Sequence, residues 1–179
     1  FYSGCFIDLE TFLEEQDYDV VLGSVHYQSF WAEKDEERTL WHGDTERVWR
    51  RYFKHVGLMA DSGLFDIATH LDLPKRKGRK PSAQAIEEMV KPTLDKIAAA
   101  EMSLEINTSG LNHEINEIYP SPEILTWANE RNISITFGSD AHKPEDVGQH
   151  FDQAIELAKA AGYTEYAVYE KRQKRLLSL

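Results

Sequence analysis

The side chains of this sequence best suited to metal chemistry gather in a few short stretches. "FGSDAHKP" (residues 137–144) sets Asp140 and His142 two apart at the end of an apolar run. "VVLGSVHY" carries His26, "FDIATHLDL" carries His70, and "SLEINTSG" carries Asn107. Imidazole nitrogens and carboxylate oxygens clustered together suit Zn, Mn or Fe rather than Ca. The short spacing of Asp140 and His142 lets both approach one ion. The other reading of Asp140 is a cap for a following helix. Taken singly, His26 and His70 read first as structural hydrogen-bonders and only second as metal ligands. Four such groups at successive strand-like ends argue together for one metal site. Asp72, just past His70, reads either as an acceptor orienting that imidazole or as a solvated loop residue.

Other candidates carry less. His55 and His150 sit in amphipathic stretches and read as ordinary helix residues. His42 lies in the polar loop 28–43 with Trp31 and Trp41, a lid over the site or a connection packed by two tryptophans. His113, close after Asn107, is a weaker candidate for facing substrate. "PKRKGRK" (74–80) places Lys75, Arg76, Lys77, Arg79 and Lys80 just past His70. Cations beside a metal site suit a phosphate-bearing substrate, and a guanidinium binds phosphate oxygens bidentately. The alternative is a solvated basic loop. No nucleophile elbow, P-loop or GxGxxG appears.

The elements that must position these residues alternate. Strands are expected over 18–26, 64–70, 101–107, 133–140 and 165–171. Helices are expected over 44–63, 81–90, 121–130 and 145–162. Asp44, Ser82 and Ser121 stand as their caps, Gly63 and Gly162 close two of them, and Pro92 restarts a further helix. Strand–helix alternation implies a parallel sheet, open or part of a barrel, with ligands at the carboxyl ends of its strands.

The whole composition is that of an ordinary globular domain. The chain has 179 residues, 41% hydrophobic and 28% charged, which is most simply one domain. A formal net charge of −11 argues against a nucleic-acid or anionic-membrane surface. One cysteine, Cys5, excludes an intrachain disulfide and points to a reducing, cytoplasmic setting. No apolar run reaches the roughly 18–20 residues of a membrane span.

"GSVHY", "THLDL", "EINTSGL", "EIYPSPEIL" and "TFGSDAHKPEDVG" resemble the PHP-domain phosphoesterases, most closely the histidinol-phosphate phosphatases, over about residues 17–162. The resemblance implies a distorted TIM-like (β/α)7 barrel with two or three divalent metals (Zn, Mn or Fe) at its strand ends. It implies hydrolysis of L-histidinol phosphate to L-histidinol and phosphate by a metal-activated hydroxide. By the same resemblance His26, His70, Asp140 and His142 are metal ligands and Arg76 contacts the substrate phosphate. A second phosphate-binding Arg commonly follows "NTSGL", where this chain has Asn112 and then His113. The family's earlier ligands, an HxH motif and a bridging Glu, are expected to precede "FYSGCFIDLETFL". The chain then reads as the C-terminal two-thirds of one PHP domain. Two alternatives stay open: another small phosphate ester as substrate, or a non-catalytic metal-binding PHP module.

Overall fold

Apolar runs too short for helices, separated by amphipathic stretches, fold here into parallel βα units. In a computed structural model, residues 8–26 and 44–179 of the chain are described. His42, Trp31 and Trp41 lie outside the described residues. Four strands, β1 (Leu22–Gly23), β2 (Ile67–Ala68), β3 (Ser103–Asn107) and β4 (Ile135–Gly138), pair in parallel in the order β1-β2-β3-β4. The register sets Leu22 beside Ile67, Ile67 beside Ser103, and Leu104 beside Ile135. The order steps one way across the sheet, with no reversal of the doubly wound kind.

Each crossover carries a helix: α2 (Thr45–Asp61), α3 (Ala83–Ala99) and α4 (Pro122–Asn129). A shorter helix, α1 (Leu9–Glu14), precedes β1 and buries no residue; the sequence reading did not anticipate it. Asp44 caps α2 by accepting from Arg47 N at 3.2 Å, and Ser82 caps α3 from Ala85 N at 3.2 Å. One face of α2 (Trp49, Tyr52, Phe53, Val56, Ala60) and one of α3 (Met89, Val90, Leu94, Ile97) meet over the sheet residues Ala68, Leu104, Ile106 and Ile135. At about 25 cal/mol per Å² this apolar burial is the main force holding the sheet to its helices.

Three expectations about the helices are corrected. Pro92 does not restart a helix, because α3 runs through it unbroken. Pro92 and Glu88 both face solvent, so the Glu88 carbonyl deprived of its helical donor is open to water. Ser121 does not cap α4 with its hydroxyl, which is drawn instead to Asp72, at 2.8 Å. The helix expected over 145–162 begins only at α5 (Phe151–Ala160). Gly148 (φ 76°) and His150 (φ 59°) turn left-handed before it, and a 3-10 turn, Pro144–Asp146, stands where the helix was expected to open.

The last strand, β5 (Glu165–Glu170), does not join the parallel sheet. It pairs antiparallel with β6 (Gln173–Ser178), a strand the sequence reading missed. Lys171 (φ 49°) and Arg172 (φ 60°) make the two-residue turn. This hairpin braces the amino ends of the parallel strands. Arg172 bonds both oxygens of Asp66 at 3.0 Å and the Leu64 carbonyl at 2.9 Å. Tyr169 donates to the Asp66 carbonyl at 3.1 Å, and Lys174 to the Glu101 carbonyl at 2.6 Å.

Candidate functional site

Parallel pairing puts the residues that follow β1 to β4 along one edge of the sheet, opposite the hairpin. His26 lies shortly past β1, His70 past β2, Asn107 ends β3, and Asp140 lies past β4. The His26 and His70 rings meet edge to face, their centroids 5.2 Å apart and their planes at 61°. His26, Asp140 and His142 are exposed, while His70 is buried.

The His70 ring is prepared as a neutral donor. Burial first, and then the neighbouring His26, push its pKa down to about 4 against the opposing Asp140 charge. At neutral pH the imidazole therefore keeps a lone pair that a metal can use. Its Nδ1 is buried with no hydrogen-bond partner, and Nε2 lies 3.3 Å from Thr69 Oγ1. His142 Nδ1 lies 2.8 Å from the Asp140 carbonyl oxygen. A carbonyl only accepts, so Nδ1 carries the proton and Nε2 presents the lone pair.

His70 (φ 28°) and Asp140 (φ 51°) both hold a left-handed backbone that residues with a Cβ seldom adopt. Such strain clusters where surrounding structure fixes a functional geometry. Among the described residues, no three His, Cys, Asp or Glu side chains stand close enough to hold a metal together. The side chains present nevertheless fit a share in a divalent metal. An orphaned buried imidazole nitrogen, a second imidazole against it and a nearby carboxylate charge are the donor types such an ion takes.

Asp72 is fully buried, which corrects the reading of it as a solvated loop residue. Its Oδ2 accepts from Ser121 N and Oγ at 3.0 and 2.8 Å and pairs with Lys75 Nζ at 2.9 Å. Its Oδ1 makes no hydrogen bond, so it does not orient His70 directly, although its charge acts on that ring. Lys75 is also no surface cation. It is fully buried, donates to the Ile118 carbonyl at 2.7 Å and lies 5.2 Å from the centre of the Tyr119 ring. Lys80 pairs with Glu117 at 2.6 Å. Arg76 stays exposed on the 3-10 turn Leu73–Lys77, and its charge reaches the Tyr119 hydroxyl, as does that of Asp140. His113 is half-buried and ends the 3-10 turn Thr108–Asn112.

Sequence reasoning missed Glu105 and Ser109. Glu105 is buried on β3 and accepts from His70 N at 3.1 Å and from Asn107 Nδ2 at 2.9 Å. Burial raises its pKa, and the hydrogen bonds from Asn107 and His70 offset that rise only in part. The signal was in the alternation, since positions 105 and 107 share one face of a strand.

The family model described as "PHP domain" matches residues 8–109, and one described as "PHP-associated" matches 123–158. A probable histidinol-phosphatase of Deinococcus radiodurans is 34% identical over 166 residues, 90% of this chain and 62% of that protein. The histidinol-phosphatase of Bacillus subtilis is 29% identical over 129 residues, 64% of this chain and 46% of that one. The chain thus spans less than two thirds of the length of these relatives. The histidinol phosphate phosphatase of Lactococcus lactis, solved with Zn, L-histidinol and phosphate, superposes with a TM-score of 0.69 at 19% identity. That match covers 93% of this chain and 65% of the other. A putative histidinol phosphatase of Listeria monocytogenes gives 0.70 at 21% identity, over 81% of this chain and 62% of its own.

Proposed function

Because this chain belongs to the PHP-domain family, we propose that it serves a metal-dependent phosphatase that hydrolyses L-histidinol phosphate to L-histidinol and phosphate. Its four parallel strands form part of a distorted (β/α)7 barrel. His26, His70, Asp140 and His142 hold part of a set of two or three divalent ions. The observation that carries this reading is the pair of imidazoles in contact at neighbouring strand ends, one with a buried unpartnered nitrogen, under the charge of Asp140. The relatives' names and the zinc, histidinol and phosphate bound in the Lactococcus protein support the choice of reaction and substrate.

When bound, such ions polarise a phosphoryl oxygen and lower the pKa of a bound water. The chain's own residues do the rest. His70, neutral at working pH, offers its lone pair without first losing a proton. His142, its Nδ1–H tied to the Asp140 carbonyl, is held in one tautomer. Arg76 extends from a turn anchored by the buried Lys75–Asp72 pair and takes phosphate oxygens by charge-assisted hydrogen bonds. A second reading keeps the chemistry and changes the ester. Asn112 is exposed where the family often has an arginine, which favours a different small phosphate monoester.

The test titrates Zn²⁺ or Mn²⁺ into the metal-stripped purified protein and follows phosphate release from L-histidinol phosphate and from a panel of other monoesters. Metal-dependent release favouring L-histidinol phosphate is expected. Release favouring another ester supports the second reading. Metal uptake with no release from any ester would leave a binding module and sink both.

A further inference from the structure

We propose that Glu105 is a positioning residue whose buried carboxylate holds the His70 backbone and, through Asn107 and Ser109, the Asp140 carboxylate in place at the ends of β2 and β4. This inference rests on reading His70 and Asp140 as metal ligands. The connection is continuous. Glu105 Oε2 accepts from the His70 backbone N–H at 3.1 Å and from Asn107 Nδ2 at 2.9 Å. Asn107 Oδ1 accepts from Ser109 N at 3.0 Å and Ser109 Oγ at 2.7 Å. Ser109 Oγ also lies 3.3 Å from Asp140 Oδ2. The chain of contacts crosses β3 and joins the ends of β2 and β4.

The two residues at its ends are the two proposed ligands with left-handed backbones, φ 28° at His70 and 51° at Asp140. A strained conformation persists only where neighbours fix it. Here the Glu105 carboxylate fixes the His70 amide directly. Its other oxygen lies against bare backbone, for a Cβ on Gly138 would stand 1.9 Å from Oε1 and 2.8 Å from Cδ. Gly138 is thus the vacancy that admits this side chain, two residues before Asp140. Glu105 is 6% exposed and its Oε2 is spent on two donors, so it acts through the ligands and not on substrate.

The experiment measures Zn²⁺ affinity of the purified, metal-stripped protein by competition with a chromophoric chelator, with thermal unfolding of each metal-free variant alongside. Glu105→Ala and Gly138→Ala, the second displacing the carboxylate without altering it, are each expected to weaken Zn²⁺ binding roughly 10–100-fold, the range for residues that orient ligands. Glu105→Gln keeps an acceptor for the His70 amide and is expected to recover most of that affinity. Ser109→Ala removes the hydroxyl that stands between Asn107 and Asp140, leaves both Glu105 hydrogen bonds in place, and is expected to weaken binding severalfold without lowering the unfolding temperature much. His70→Ala is the control. If His70→Ala binds Zn²⁺ like the wild type, the metal-site reading fails. If His70→Ala loses binding while Gly138→Ala and Ser109→Ala retain wild-type affinity, the role given to Glu105 is overturned, whether or not Glu105→Ala folds. Glu105→Gln binding as weakly as Glu105→Ala would overturn it too.

Discussion

Arg76 stands exposed on the turn after His70, while its neighbour Lys75 is buried. The two substitutions should therefore fail in different ways. Arg76→Ala is expected to raise KM for the phosphate ester with metal content unchanged. The loss is about 1.5–3 kcal/mol, the worth of a hydrogen bond to a charged group. Steady-state kinetics with metal analysis checks it, and unchanged KM would return Arg76 to the solvated surface. Lys75→Ala leaves the fully buried Asp72 carboxylate without its cation. Breaking a buried pair costs roughly 3–5 kcal/mol, so denaturant unfolding should show a large loss of stability. Adding Asp72→Asn should recover part of it. Glu117 offers a pH signature. Partial burial raises its carboxyl, but the Lys80 hydrogen bond and the Lys75 charge together pull it below the ordinary value. A depressed carboxyl stabilises the fold above its unfolded pKa and loses that contribution as pH falls. The stability advantage of the wild type over Glu117→Gln should thus shrink below about pH 4.5, as urea midpoints across pH would reveal.

The helices show which local signals tertiary contacts leave alone and which they override. Asp44 and Ser82 cap as their positions in the sequence suggest, because each side chain needs only an amide three residues on. Ser121 has the same local pattern, yet its hydroxyl serves Asp72 from a distant turn. Pro92 is the opposite case, a helix breaker inside an intact helix. Proline in a helix interior is about 3 kcal/mol less favourable than alanine, offset by roughly 1 kcal/mol of unfolded-chain entropy. Pro92→Ala is accordingly expected to raise stability by about 2 kcal/mol, measured by thermal or denaturant unfolding. No gain would mean that the solvent-facing Glu88 carbonyl lacks nothing.

At the scale of the molecule, the sheet has a chemical end and a structural end. Ligand candidates follow the strands at one edge, and the β5–β6 hairpin ties the strand starts at the other through Arg172, Tyr169 and Lys174. Arg172→Ala should cost about 1–2 kcal/mol, discounted because the guanidinium is a third exposed. It should speed amide exchange in the hairpin and leave Zn²⁺ affinity unchanged; an altered affinity would mean that the two ends are coupled. The parallel βα framework and the strand-end placement of His26, His70, Asn107 and Asp140 were legible in the sequence, because period, caps and breakers are local properties. The tertiary structure alone decided that Lys75 and Asp72 would be buried together, that Lys171 and Arg172 would turn a hairpin with no glycine, and that Glu105 would lie between His70 and Gly138. In each case the deciding contact joins residues brought together only by folding. Asp72 meets Ser121, Asp66 meets Arg172, and Gly138 gives Glu105 its space. Burial and long-range pairing of this kind depend on which faces the sheet brings together, and no single stretch of sequence encodes them.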